Sequence, residues 1–223
     1  DRGMAEGSHL LGYGGEQEEA YCEDFCRLMG GGYADGVNSG TSAVYAALGA
    51  TDPPVMSEVV VPPISDPGGV MPVTMLNCIP VSADAAPDCG YNMGPAQVEE
   101  VVTERTHAII VAHIAGIPVD MAPILELAQE RDLFVIEDCA QAHGARYQGR
   151  PVGTFGDVAA FSTMFGKHHA SGGQGGIVYT REEELYWRAR RVADRGKPFG
   201  LDDANWNVRA SINANMDELH AAI

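Results

Sequence analysis

Short apolar runs alternate with amphipathic segments along most of the sequence, and this alternation limits the folds that the chain can adopt. Four of the runs predict buried strands, at residues 58–61, 79–83, 107–112 and 133–136. Helices are predicted after the second and third of these strands, at residues 95–103 and 121–131. Such a pattern is typical of an α/β domain in which a mostly parallel sheet is flanked by helices.

Further helices are predicted near both ends of the sequence. Residues 16–29 form one that ends at three consecutive glycines, and residues 181–195 form a longer, charged one. Residues 215–223 begin another helix, whereas residues 1–14 are glycine-rich and predict an irregular N-terminal arm. Since no repeat or linker divides the sequence, we expect one domain over residues 1–223.

The net charge and the spacing of the cysteines limit the partners and the cellular location that we expect for this protein. The 223 residues include 14 Lys+Arg and 31 Asp+Glu, and the formal net charge of -17 argues against binding to nucleic acid or to an anionic membrane surface. The 5 cysteines lack CxxC spacing, so we expect reduced thiols and a cytoplasmic location. No signal peptide or membrane-spanning run is apparent. The 7 histidines show no metal-ligand spacing, and no metal is expected.

A turn of glycine and hydroxyl residues, Gly40-Thr41-Ser42-Ala43, precedes a helix-forming run. Such a turn leaves backbone N–H groups and the positive end of a helix dipole available to a phosphate group. On this stretch alone, a plain helix N-cap by Ser39 or Thr41 is an equally good interpretation.

Two charged residues further along favour the phosphate interpretation. Asp138 follows a buried strand, at the strand end where α/β sheets bind ligands, although a lone Asp could instead cap a turn. Lys167 lies on a glycine-rich loop between two apolar runs and could, by itself, be an exposed charge. Pyridoxal 5'-phosphate (PLP) needs an anion for its pyridine nitrogen, an amine for its aldehyde and donors for its phosphate. The combination therefore predicts a PLP site.

The sequence resembles the DegT/StrS family of PLP-dependent sugar aminotransferases in several blocks that occur in family order between residues 37 and 223. These blocks are residues 40–43, 137–145, 153–157, 161–162, 166–167, 172–176 and 213–223. The resemblance implies the three-layer large domain of a fold-type-I PLP enzyme. It also leads us to expect that the smaller C-terminal domain of the family is absent.

The resemblance assigns roles to individual residues. Lys167 matches the Schiff-base lysine that also shuttles a proton, and Asp138 matches the carboxylate beside the pyridine nitrogen. Gln141 matches a glutamine near the phenolic oxygen of the cofactor. The phosphate-binding positions are matched by Gly40, Thr41, Ser42 and Ser162. Asn213 matches an asparagine that reaches the phosphate of the neighbouring subunit, so a homodimer with shared active sites is implied.

The resemblance implies PLP-dependent transamination of a keto-sugar, nucleotide-linked by analogy with the family, or of a keto-cyclitol. L-glutamate or L-glutamine is the implied amino donor. Two alternatives stay open at this point. Some relatives are PLP-dependent sugar dehydratases, although in those a histidine replaces the lysine that is present here as Lys167. A non-catalytic or regulatory member that keeps the fold is the other alternative.

Departures from the family pattern concentrate on the substrate side of the site. Asp66 takes the place of an aromatic residue that stacks on the cofactor, and His168-His169 replaces a more usual Asn-Leu. A carboxylate cannot stack on a pyridine ring. Asp66, His143 and His168 are therefore candidate substrate contacts, while His143 fits a backbone hydrogen bond in the core equally well.

Overall fold

Seven strands form one sheet in the computed structural model, which describes residues 14–87 and 90–223. The strands of this sheet are β1 (Tyr33–Val37), β2 (Glu58–Val61), β3 (Ile79–Ser82), β4 (Thr106–Ala112), β5 (Phe134–Asp138), β8 (Val158–Ser162) and β9 (Gly176–Thr180). A separate two-stranded hairpin consists of β6 (Arg146–Tyr147) and β7 (Arg150–Pro151).

The sheet is mostly parallel. Its strand order is β1-β9-β8-β5-β4-β2-β3, and the five strands from β8 to β3 run parallel to one another. Strand β9 alone runs the other way, because it pairs antiparallel with both β8 and β1. The carboxyl ends of β2, β4, β5 and β8 therefore meet at one edge of the sheet. The predicted α/β fold with a mostly parallel sheet is confirmed.

Helices cover both faces of the sheet. They are α1 (Glu16–Met29), α2 (Gly40–Ala50), α3 (Met71–Met75), α4 (Pro95–Val101), α5 (Met121–Arg131), α6 (Glu183–Ala193) and α7 (Glu218–Ala221). Short 3-10 turns occupy Pro67–Gly69 and Ile114–Gly116. Within the two described ranges, no helix combines the length and the apolar character that crossing a membrane requires.

The alternation of side chains along each strand produces the three layers. Val59 and Val61 of β2 pack in a core with helices α2 and α6, whereas Val60 packs on the opposite face with Ile124 of α5. Successive residues of a strand point to opposite faces, so the side chains of an all-apolar strand pack in the core on each face of the sheet. Helix α2 is buried from Ser42 to Ala50 because it lies between the sheet and α6.

The structure corrects several of the predicted boundaries. Helix α7 covers only Glu218–Ala221 instead of 215–223, because the Asp217 side chain accepts the His220 N–H and starts the helix there. Strand β5 continues through Asp138, two residues past the predicted end. The predicted arm at residues 1–14 lies outside the described residues apart from Gly14.

Candidate active site

Four strand ends deliver polar side chains to one small cavity at the carboxyl edge of the sheet. The side chains come from the residues that follow β2 and β4, from the end of β5, and from the loop after β8. The cavity is lined by Ser65, Asp66, His113, Asp138, Gln141 and Lys167, together with Ala112, Ile114 and Ala140. Three predicted cofactor residues, Asp138, Gln141 and Lys167, thus lie around one cavity.

Asp138 is a buried carboxylate, with 8% of the residue exposed. Its Oδ1 accepts a hydrogen bond from the Ala140 N–H at 3.0 Å. Burial raises the pKa of Asp138, while the Ala140 N–H and the charge of Lys167 lower it and Asp66 raises it further. A cationic group placed beside Asp138 would relieve this cost of burying a negative charge.

The N-terminus of α2 packs directly on the end of β8. A β-carbon at Gly40 would lie 2.6 Å from Ser162 Cβ, so only glycine permits this close approach. Ser39 caps the helix by accepting the Ser42 N–H at 3.1 Å. The turn can therefore serve both as a helix N-cap and as a phosphate site, because the N–H groups of Gly40 and Thr41 have no acceptor in the described part of the chain. Such N–H groups suit an anion.

Lys167 lies on the loop between β8 and β9, residues 163–175, which we call the lysine loop. The base of the loop is closed by backbone bonds from Thr163 N–H to Gly175 O at 2.8 Å and from Phe165 N–H to Gly173 O at 2.7 Å. A tighter turn near the tip joins the Lys167 N–H to Met164 O at 2.8 Å. These bonds hold the lysine backbone in a hairpin that opens at the cavity.

Gln141 is oriented by the 3-10 turn that follows β4. Its Oε1 accepts the Ala115 N–H at 2.8 Å. Ala115 has a φ of 56°, a left-handed conformation that is uncommon for alanine and that directs this N–H outward. Because the oxygen is engaged, the Gln141 amide nitrogen is the group available to donate into the cavity.

The three substrate-side candidates are placed differently. Asp66 lines the cavity, but its Oδ1 also caps the 3-10 turn by accepting the Gly68 N–H at 2.9 Å. The His143 Nε2–H donates to the Ser162 carbonyl at 2.8 Å, so this side chain makes the backbone bond considered above. His168 is exposed on the lysine loop.

Asn213 is exposed, and its side chain is engaged locally. Its Oδ1 accepts the Asn215 side-chain N–H at 2.6 Å, and its backbone forms a bridge with Asp194. The described hydrogen bonds of this side chain do not extend to Gly40 or Ser162. The contact of Asn213 with the phosphate site of a neighbouring subunit therefore stays a prediction.

A buried hydrogen-bonded pair behind Asp138, His113 and Glu137, was not predicted from the sequence. His113 donates from Nε2 to Glu137 Oε2 at 3.1 Å and accepts the Val119 N–H on Nδ1 at 3.0 Å. The Glu137 carboxylate also accepts the N–H groups of Gly153, Phe155 and Gly156, each at 2.7 Å. Burial raises the pKa of Glu137, but the hydrogen bonds from His113 and the backbone outweigh it and leave the pKa lowered.

This pair fixes the loop after β7 against β4 and β5. The position of His113 directly after a strand was the only sequence signal for it. Possible ligand atoms of His113, Glu137 and Cys139 lie within 4.8 Å of one another. The His113 and Glu137 atoms are already engaged in hydrogen bonds, so the described cluster is a satisfied structural network.

Comparison of the sequence with models of known protein families identifies the family to which this chain is similar. The family model for the DegT/DnrJ/EryC1/StrS aminotransferases matches residues 4–223. The chain belongs to this family. The resemblance inferred from the motif blocks is thus confirmed.

Two curated relatives are similar to most of this chain. A GDP-perosamine synthase from Escherichia coli O157:H7 is 36% identical over 191 residues, which are 86% of this chain and 51% of the relative. A dTDP-3-amino-3,6-dideoxy-alpha-D-galactopyranose transaminase from Aneurinibacillus thermoaerophilus is 35% identical over 224 residues, covering 100% of this chain and 59% of the relative. The chain therefore spans little more than half the length of these relatives.

Solved structures of family members share the fold. An aminotransferase from Psychrobacter cryohalolentis superposes with a TM-score of 0.88 at 34% identity, over 96% of this chain and 56% of that one. The ntda protein of Bacillus subtilis, solved with its bound cofactor pmp, superposes with a TM-score of 0.85 at 25% identity, over 95% of this chain and 47% of that one. The fold assignment therefore rests on sequence and on structure alike.

Proposed function

We propose that this protein is a PLP-dependent aminotransferase that acts on a keto-sugar, such as a nucleotide-linked one, or on a keto-cyclitol. The observation that carries the proposal is the cavity in which Lys167, Asp138 and Gln141 converge at the strand ends. The family membership agrees with it, because the matching relatives are named as a sugar synthase and a sugar transaminase.

The residues of the cavity fit PLP in charge and in hydrogen-bonding capacity. Asp138 is a buried anion with one oxygen, Oδ2, that accepts no hydrogen bond from the described residues. It suits the N–H of a protonated pyridine ring. Lys167 would supply the amine for the aldehyde. The phosphate would be held by the N–H groups at the start of α2 and by the Ser162 hydroxyl, which Gly40 contacts closely.

When bound, PLP withdraws electrons from the substrate carbon that carries the reacting nitrogen. Asp138 would keep a proton on the pyridine nitrogen, because a carboxylate stabilises that positive charge and a neutral group would not. Lys167 Nζ would move a proton from the α-carbon of the amino donor to the cofactor carbon that bears the nitrogen, and in the second half from that cofactor carbon to the sugar carbon. Gln141 has its amide nitrogen free to donate and would orient the ring through the phenolic oxygen, as the family resemblance implies.

The remaining assignments follow from the family resemblance. We propose L-glutamate or L-glutamine as the amino donor and a homodimer with shared active sites, in which Asn213 reaches the neighbouring phosphate site. A cytoplasmic location agrees with unpaired cysteines at positions 22, 26, 78 and 139 in the described residues.

A coupled assay tests the proposed function. The 223-residue protein is incubated with PLP, L-glutamate or L-glutamine, and a panel of nucleotide-linked keto-sugars and keto-cyclitols. We expect 2-oxo acid formation to match the amount of amino-sugar or aminocyclitol. Deoxygenated sugar without consumption of the donor would instead identify a dehydratase. Donor turnover with no aminated product from any acceptor would contradict the keto-sugar assignment.

A further inference from the structure

The tip of the lysine loop extends beyond the backbone bonds that close its base. The cross-loop bonds involve Thr163, Phe165, Gly173 and Gly175, and one more joins the Ser171 N–H to Thr163 O at 2.9 Å. Residues 168–170 lie beyond these cross-loop pairs, next to Lys167. The direction of the Lys167 side chain therefore depends on what the tip of the loop rests against.

Helix α1 supplies one support. The Tyr21 hydroxyl hydrogen-bonds His169 Nε2 at 2.8 Å. The two rings are also stacked, with centroids 5.7 Å apart and planes inclined by 11°. Tyr21 is distant in sequence, so this contact fastens the loop tip to the outer helix rather than to its own strands.

His143 supplies a second support from the other side. Its ring lies 5.7 Å from that of His169 and 5.3 Å from that of Phe161 in β8. Its Nε2–H donates to the carbonyl of Ser162, the residue on which the α2 N-terminus packs. The rings of Tyr21, His169 and His143, which we call the ring column, thus run from α1 across the loop tip to the end of β8.

We propose that the ring column positions the lysine loop, so that Tyr21, His169 and His143 are positioning residues for Lys167 and Ser162. The inference rests on the proposed function for its catalytic meaning. Its physical content is that three side chains from separate elements hold the loop tip at a fixed distance from the end of β8. Both adjacent histidines are exposed, but among the described contacts His169 bonds and stacks on Tyr21 and lies against the His143 ring, so the two differ in role.

Hydrogen–deuterium exchange of the cofactor-free protein tests the positioning directly. The amides of Phe165, Lys167 and Ser171 report on the loop because each is hydrogen-bonded within it. Tyr21→Phe keeps the stacked ring and removes the hydroxyl that bonds His169. We expect about fivefold faster exchange of these amides, the factor for a bond worth ~1 kcal/mol. His169→Leu removes the ring as well, and we expect it to accelerate exchange of these amides by more than Tyr21→Phe does.

His168→Leu is the matched control, since it changes the adjacent, exposed histidine of the same loop. We expect wild-type exchange in this variant. The proposal is overturned if Tyr21→Phe and His169→Leu leave loop exchange unchanged, or if His168→Leu accelerates it as much. Acceleration spread evenly over the whole chain would likewise overturn it, because the contacts would then contribute only to global stability.

A second readout connects the column to the cofactor. In PLP-loaded protein, the pH midpoint of the visible absorbance change reports the surroundings of Lys167. We expect His169→Leu to shift this midpoint and to weaken PLP binding several-fold, with both unchanged in Gln174→Ala, which changes an exposed residue of the same loop. A wild-type midpoint and affinity in His169→Leu, with only a lower melting temperature, would overturn the proposal. If wild-type protein binds no PLP, the proposed function fails, and the exchange measurement still decides the positioning.

Discussion

The backbone of Gly69 passes so close to Asp138 that a β-carbon at residue 69 would lie 2.9 Å from Asp138 Oδ2. The same β-carbon would lie 2.6 Å from Ser65 Oγ. Gly69 follows the turn that Asp66 caps and is itself buried. The turn after β2 therefore forms a wall of the cavity beside Asp138, the carboxylate that we assign to the pyridine nitrogen. Gly69, which has no side chain, is the residue of this wall that contacts Asp138.

Gly69→Ala should weaken PLP binding about tenfold with little effect on the fold. The added methyl group must displace either Asp138 or the turn, and overpacking of this kind costs ~1–3 kcal/mol. PLP affinity, measured by absorbance titration, checks the prediction. Ser65→Ala is the control, because it leaves the Asp138 contact unaltered and should bind PLP like wild type. Wild-type affinity in Gly69→Ala would show that the wall is not rigid.

Asp66→Asn should shift the acid limb of the donor half-reaction to lower pH. The charge of Asp66 raises the pKa of Asp138. Removing that charge lets Asp138 stay ionised at lower pH, while asparagine can still accept the Gly68 N–H. The measurement is the rate of the half-reaction with L-glutamate as a function of pH. An unchanged or raised midpoint would mean that Asp66 does not influence Asp138.

Glu18 should make folding stability fall as the pH rises toward 8. Burial and the neighbouring Asp35 raise the pKa of Glu18 from 4.5 to about 8, while the Gly14 N–H and Arg190 lower it and Glu218 raises it. The folded protein keeps this proton where the unfolded chain has lost it. Stability is therefore greatest below the unfolded pKa and is lost progressively up to about pH 8.

Urea unfolding of wild type and Glu18→Gln across pH 5 to 9 checks this prediction. Glutamine resembles the protonated carboxyl group and can still accept the Gly14 N–H. The difference in stability, variant minus wild type, should grow with pH until about pH 8 and then level off. A difference that stays constant across this range would contradict the raised pKa.

His113→Leu should destabilise the protein by about 2–3 kcal/mol. The substitution removes the His113 hydrogen bond to the fully buried Glu137 carboxylate, and it also leaves the Val119 N–H without its acceptor. His107→Leu is a suitable control, since His107 is only half-buried and bonds the neutral Thr51 hydroxyl at 2.9 Å. Chemical unfolding measures both. Equal losses of stability in the two variants would show that the effect does not depend on the buried Glu137 carboxylate.

Helices with clear ends were predictable from the sequence, because their signals are local. Helix α1 begins at Glu16 and ends at Met29, as predicted, since Gly30 adopts the left-handed conformation that terminates it. Helix α5 likewise has the predicted bounds, Met121–Arg131. The placement of Asp138 and Lys167 around one cavity was also predictable, because parallel strands end at a common edge.

Strand β1 was not predicted, because its stability comes from distant parts of the chain. Its sequence, Tyr-Ala-Asp-Gly-Val, contains a charged residue and a glycine, both unfavourable in a buried strand. Asp35 is tolerated because Arg190 of α6 contacts it at 3.0 Å, and β9 pairs with the whole strand. The ring column escaped prediction for the same reason, since Tyr21, His169 and His143 belong to three separate segments.

The most direct test of the account is a PLP titration of wild-type protein, Lys167→Ala and His168→Ala, followed by borohydride reduction and peptide mapping. We predict a visible absorbance band in wild type and in His168→Ala, with the cofactor recovered on the peptide that contains Lys167. Lys167→Ala should lack the band. No band in wild type, or an identical band in Lys167→Ala, would contradict the assignment of Lys167 as the residue that holds the cofactor.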